Sequence, residues 1–278
     1  MKKDSLPPEH ERNAEAPLAL GLQDDLGLLN RQKLLQASTR SSVELMLQDP
    51  YPLLGELSEG QPFTLDLSDD SILDHALLTN QTLLQAYINK ECFTKKKWGI
   101  GGYMEYRSVF LGYFPQGDQK RFYHLGLDVT APAQTPIHAP LDGIVFQSGH
   151  EEGEGNYGGF VVLQHERKDD APLYSFYGHL DKNSQPIVGQ KIQKGGVFAR
   201  LGDMDSNGHW FYHIHFQLLT QRGVDEGWME RGNCTKGQLA TIHELCPVPH
   251  TLFTPSMPRN SGNRDLGQEA GTTTTSLD

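Results

Sequence analysis

From about residue 97 the chain changes texture, to short β-branched and aromatic runs set apart by Gly, Pro, Asn and Asp: GIVF at 143–146, FVVLQH at 160–165, LYSFY at 173–177, VFARL at 197–201 and HIHFQL at 213–218. Runs this short are strand length, and the turn residues between them leave no room for crossover helices, so the strands must pair mostly with antiparallel neighbours. The expectation is a mainly β fold with an antiparallel β-sheet or sandwich core.

Upstream, between residues 17 and 88, apolar residues fall at helical spacing instead, with Leu18, Leu22, Leu26 and Leu29 on one stripe and Leu73, Leu77, Leu84 and Ile88 on another. Ser68, followed by Asp69 and Asp70, predicts a cap and an acidic first turn for the second helix. Gly21 and Gly27 weaken the first helix, and Pro50 and Pro52 break the segment between the two. The chain therefore divides into a helical amino-terminal region, 1–95, whose first ~14 residues are disordered, a β domain, 96–255, and a disordered tail, 256–278, poor in apolar residues and carrying a Thr repeat.

Charge narrows the partners. Lys and Arg number 24 against 35 Asp and Glu, a formal net charge of −11, and Lys95-Lys96-Lys97 is the only basic run, so nucleic acid is not an expected partner. No apolar run approaches the roughly 20 residues that cross a bilayer, and the amino terminus carries charge and proline where an export signal carries an apolar core. The sequence thus reads as cytoplasmic unless exported by a route that needs no such signal. Cys92, Cys234 and Cys246 include no C-x-x-C pair, which predicts neither a disulfide framework nor a cysteine zinc clip and fits a reducing compartment. Nothing in the sequence sets an oligomeric state.

Three segments carry candidate chemistry. In His213-Ile214-His215-Phe216-Gln217-Leu218 polar and apolar residues alternate, so a strand here points both histidines to one face, about 7 Å apart, a spacing that suits one metal ligand beside one acid–base group. His124-Leu125-Gly126-Leu127-Asp128 places a His and a carboxylate about 13 Å apart on a straight strand; they share a metal only if the backbone bends, and Gly126 permits a bend. Tyr177-Gly178-His179-Leu180 puts a histidine at the end of a strand, where functional groups tend to sit. Together His124, Asp128 and His215 make a two-His, one-carboxylate set for Zn²⁺, with His179 and His213 unligated beside it. The chain has no H-E-x-x-H, G-x-S-x-G, P-loop or G-x-G-x-x-G.

The order H-x-G-x-D, Y-G-H-L, H-x-H-F resembles the lysostaphin-like (LytM-type) zinc endopeptidases, over residues 99–219. The stretches Val129–Pro136 and Ala139–Gly143, and the turn Val188–Gly195, are similar to the family's as well. The resemblance implies a β core of the lysostaphin type, a duplicated hybrid motif, across 96–255. It implies zinc held by His124, Asp128 and His215, with His179 and His213 assisting the attacking water and stabilising the oxyanion. It also implies peptidoglycan stem or cross-link peptides, or related peptides, as substrate. Tyr177 is a candidate hydrogen-bond donor to substrate or, equally, a packed strand tyrosine, and His209 is near enough in sequence to line the groove. The segment Gly208-His209-Trp210-Phe211-Tyr212 is bulkier than the family's usual approach to that strand, which predicts an altered groove. The amino-terminal helices are a candidate lid. Two alternatives stand beside the peptidase: a non-catalytic or regulatory binding module on the same fold, and a different zinc hydrolase or His-phosphorylated carrier.

Overall fold

The structure, a computed structural model, describes residues 50–109, 121–168 and 170–249. The first leucine stripe, the expected disordered start and the 256–278 tail lie outside the described residues.

Twelve strands follow in chain order among the described residues: β1 Phe63–Thr64, β2 Gly99–Ile100, β3 Arg121–His124, β4 Leu127–Thr130, β5 Pro136–His138, β6 Gly143–His150, β7 Gly159–His165, β8 Leu173–Leu180, β9 Lys191–Ile192, β10 Val197–Arg200, β11 His213–Thr220 and β12 Asn233–Thr235. Eight of them form one sheet in the order β1-β2-β4-β11-β8-β7-β6-β9, while β10 with β5 and β12 with β3 make two-stranded ribbons. Every pair is antiparallel except β1 with β2. The mainly β, antiparallel-rich fold expected from the sequence is the fold observed.

The two faces of the sheet bury different residues, as the strand period of two requires. On one face Leu127, Val129, Val161, Leu163, Tyr177, Ile214, Phe216 and Leu218 pack with Ile137, Ala139, Phe198 and Ala199 from the β5–β10 ribbon. On the other, Val162, Tyr174, Phe176 and Leu219 are covered by Trp228, Cys234, Leu239, Ile242, Leu245 and Cys246 from the chain after β11. The alternation read in HIHFQL therefore holds: Ile214, Phe216 and Leu218 enter the first core, and His213, His215 and Gln217 turn to the second face.

The helical region keeps only part of its expected stripe, burying Leu84 and Ile88 with Leu73 at the edge but Leu78 in place of Leu77, and it does not keep its expected start. Helix α1, His75–Thr79, is capped by Asp74, whose carboxylate accepts from Ala76 N at 2.8 Å. Helix α2, Gln81–Ile88, is capped by Asn80, whose side chain accepts from Leu83 N at 3.0 Å. The cap expected at Ser68 is instead part of a turn in which Ser68 N and Oγ both donate to Asp66, at 3.0 and 2.7 Å. A short polar side chain that bonds its own backbone neighbours competes with helix, and here that competition delays the helix to residue 75. Leu78, Leu84, Ile88 and Cys92 then close a third core around Leu65, Leu67 and Phe211. Among the described residues no helix is long and apolar enough to cross a membrane.

Candidate metal centre

The β4–β11 ladder places Asp128 directly opposite His215. The chain reaches β4 from β3 by leaving one sheet for another. β3 pairs with β12, Leu125 N donates to Gly232 O at 2.8 Å, and β4 pairs with β11 and β2. That switch at Leu125 and Gly126 bends the backbone, so His124 Nε2 comes to 3.3 Å from Asp128 Oδ1. Glycine is required at the bend, because a Cβ on Gly126 would lie 2.5 Å from Cε1 of His215. His124 Nε2 stands 2.9 Å from His215 Nδ1, and His215 Nδ1 stands 3.6 Å from Asp128 Oδ1. These three residues form the one His/Cys/Asp/Glu group among the described residues whose donor atoms all lie within 4.8 Å of one another.

Hydrogen bonding decides which lone pairs converge. His215 Nε2–H donates to Gln217 Oε1 at 3.0 Å, leaving Nδ1 as an acceptor. Asp128 Oδ2 accepts from Arg107 Nη1 at 2.6 Å, whereas Oδ1 is buried without a partner. His124 Nδ1 is likewise buried and unpartnered. With its proton on Nδ1, His124 presents Nε2 as a third lone pair, and two neutral imidazoles with a carboxylate are the donor set of a borderline divalent ion such as zinc.

The charges agree. Arg107 is shared between Asp128 and Glu105, donating to Glu105 Oε2 from Nε at 2.9 Å and from Nη2 at 2.7 Å, so the buried trio carries one net negative charge. Burial, and then the Arg107 charge, push His124 down to about 3, which keeps the imidazole neutral. Burial opposes ionisation of Asp128, but the charged Arg107 guanidinium beside it outweighs it and holds the carboxyl well below its usual range. Burial raises Glu105, against the pull of Arg107.

His213 and His179 complete the ring of imidazoles, their centroids 4.3 Å apart. His213 Nδ1–H donates to Phe211 O and His179 Nδ1–H to Asn207 O, each at 2.8 Å, so each Nε2 is an acceptor. His213 Nε2 lies 3.6 Å from Asp128 Oδ1. Burial lowers both, His213 to about 4 and His179 well below its ordinary value, with the neighbouring imidazoles adding to the effect on His179.

All five expected residues line one cavity of about 230 Å³, together with Arg107, Tyr157, Trp210, Phe211, Glu151, Glu230, Arg231 and Asn233. Tyr177 and His209 are not brought there. Strand alternation would put Tyr177 and His179 on one face, but His179 adopts a left-handed backbone (φ 64) beside a register shift between β7 and β8. Tyr177 consequently stays in the first core, its ring against Phe198 and Phe216 and its hydroxyl 2.9 Å from Ser175 Oγ, while His179 turns to the metal face. His209 is exposed, and its neighbour Trp210 takes the place on the wall, with its Nε1–H on Asn156 O at 3.1 Å. Neither α1 nor α2 lines the cavity, so among the described residues the helices do not form a lid. Sequence reading missed Arg107, Glu105, Gln217 and Tyr157. Only Gln217 carried a signal, since it shares the strand face of His213 and His215.

A mainly β, antiparallel-rich fold with a His, Asp, His cluster able to hold a metal defines a class first: a β-sheet protein with a metal-type centre in a cleft. A particular likeness comes from the sequence: residues 122–226, less than half of the chain, match the model of peptidase family M23. Similar solved structures include a zinc containing peptidase from Vibrio cholerae, 26% identical over 36% of this chain and 28% of that chain with a TM-score of 0.30. Others are a putative peptidase M23 from Pseudomonas aeruginosa (28% identical, 35% and 38% covered, TM-score 0.29) and the catalytic domain of the antimicrobial peptidase lysostaphin from Staphylococcus simulans (19% identical, 49% and 98% covered, TM-score 0.32). This chain spans only 28% and 38% of the length of the first two. No curated protein matches the chain.

Proposed function

We propose that this chain is a zinc metalloendopeptidase acting on peptidoglycan stem or cross-link peptides, or on related peptides. The observation that carries the reading is the convergence of His124 Nε2, His215 Nδ1 and the unpartnered Asp128 Oδ1 beside two imidazoles whose Nε2 atoms are free to accept. Zinc held by these three residues would polarise a scissile carbonyl and bring the pKa of its water towards neutrality. His124, Asp128 and His215 are the proposed ligands. His179 and His213 are the proposed proton carriers: neutral through burial, each has one lone pair towards the cavity and can take a proton from the attacking water, then as imidazolium donate to the oxyanion or the leaving amine. No glutamate base is needed in this scheme, and Glu151 is otherwise engaged as an acceptor for Tyr157 N at 3.2 Å. The peptidase unit is proposed to include the helices as well as 96–255, because the wall of the cavity packs on them.

The test is mass spectrometry of peptidoglycan fragments after incubation with zinc-loaded protein, beside His215→Ala. Zinc-dependent cleavage at one bond, lost in the variant, supports the reading and names the substrate. Zinc binding and cleavage retained in both His124→Ala and His215→Ala would overturn it, and bound zinc without cleavage would favour the non-catalytic module.

A further inference from the structure

Among the described residues the helical region does not cover the cavity, yet it is bonded to the cavity wall from behind. Gln81 and Gln85 lie one turn apart on α2 and so share a face, and both are buried. Gln81 Oε1 accepts from Phe211 N at 3.0 Å and Gln85 Oε1 accepts from Tyr212 N at 2.5 Å. A buried backbone N–H without an acceptor is costly, and these two lie just before β11, where neither has a ladder partner. The Phe211 side chain is buried in the helical core with Leu78, Leu84 and Ile88. Its ring also stacks on His213, centroids 4.0 Å apart and planes 17° apart, and its carbonyl accepts the His213 Nδ1–H at 2.8 Å. One residue therefore joins the helices to a catalytic candidate through three kinds of contact.

We propose that Gln81 and Gln85 are positioning residues for His213: through Phe211 and Tyr212 they fix the ring plane and the Nδ1–H tautomer of His213, so that Nε2 faces the cavity. His213 is not among the proposed ligands, so the device sets proton transfer and leaves metal holding alone. The catalytic consequence rests on the peptidase reading; the positioning itself does not. It also makes the helical region part of the working unit, although the family match begins only at residue 122. Gln81 Nε2 has no partner, so only the acceptor half of that side chain is used.

The test compares Gln81→Met and Gln85→Met, singly and together, with wild type in the zinc-loaded protein; methionine keeps the unbranched shape and helix preference and removes the acceptor. Amide exchange at Phe211 and Tyr212 should quicken by about tenfold per bond lost, and nitrogen NMR should show His213 passing from one tautomer to a mixture. Zinc affinity, read by chelator competition, should stay within about twofold, while kcat falls by up to about 100-fold with a smaller change in KM. Gln81→Glu, which keeps an acceptor, should restore protection at Phe211. Unchanged exchange and an unchanged His213 tautomer in the double variant would overturn the proposal, as would zinc affinity, melting temperature and kcat falling together. If the wild type cleaves nothing, the peptidase reading fails while exchange and tautomer still decide this one.

Discussion

Gln217 Oε1 sits 3.0 Å from Nε2 of His215, on the side of the ring away from Asp128. The amide is itself held, with Nε2 donating to Trp228 O and to Cys246 Sγ, both at 3.4 Å, so its oxygen must face the imidazole. This fixes the tautomer and ring angle that leave His215 Nδ1 as an acceptor facing Asp128 and His124, where the proposed metal would sit. Partners of this kind are typically worth about 10- to 100-fold in metal affinity. Gln217→Met should weaken zinc binding by that factor, and Gln217→Glu should keep most of it. Competition against a chromogenic chelator reads both, and equal affinity in the methionine variant rejects the role.

Arg107 neutralises two buried carboxylates at once. Removing it leaves Asp128 and Glu105 facing each other with no cation, and breaking a buried pair from one side costs about 3–5 kcal/mol. Arg107→Met should therefore lower the unfolding free energy of the metal-free protein by an amount in that range. A bound divalent cation restores positive charge beside Asp128, so zinc should recover part of the loss. Chemical denaturation with and without zinc measures both quantities; a loss below about 1 kcal/mol would show that the carboxylates find other compensation.

Much of this was legible from residues alone. The period-two pattern of HIHFQL placed His213 and His215 on one face because a strand that sends Ile214, Phe216 and Leu218 into an apolar core cannot slip register without moving the imidazoles into that core. Gly126 marked the bend because glycine frees the backbone, and the structure adds a second reason, since a Cβ there would meet the His215 ring. What failed did so for physical reasons. Tyr177 could be read either as a substrate contact or as a packed strand tyrosine, and the left-handed residue at His179, which sends the two side chains to different faces, leaves no trace in hydrophobic period. Ser68 looked like a cap because Ser, Asp and Asn favour turns and helix starts alike. Arg107 and Glu105 were invisible as a site because their partner Asp128 is brought to them only by the sheet, and Gln81 and Gln85 meet Phe211 and Tyr212 only in the folded chain.

His165 gives the fold a pH dependence away from the metal site. Its Nδ1–H donates to Asp142 O and its Nε2 faces Ser175 Oγ at 2.7 Å, and burial lowers its pKa against the pull of Asp142. The folded state thus prefers the neutral ring, while the unfolded chain takes up a proton at about pH 6.5. The unfolded state binds more protons below that pH, so this contribution is fully present above it and is lost as the pH falls towards the lowered folded value. His165→Gln should lose stability less steeply than wild type between about pH 6.5 and 5. Unfolding free energies at three pH values give the two slopes, and parallel slopes would rule His165 out as the source.

Metal removal should act through the folded state alone, because the three proposed ligands meet only when β3, β4 and β11 are in register. A ligand that binds only the native protein stabilises it by about 2.7 kcal/mol at a free concentration one hundred times its dissociation constant. Thermal melts in excess zinc should therefore exceed those in chelator by several degrees, and the gain should grow with the logarithm of zinc concentration. His124→Ala and His215→Ala should abolish the gain, whereas His179→Ala, which removes a proposed proton carrier and not a proposed ligand, should retain it. Loss of the zinc gain in His179→Ala would move that residue from proton carrier to ligand and redraw the centre as a site of three histidines and one carboxylate.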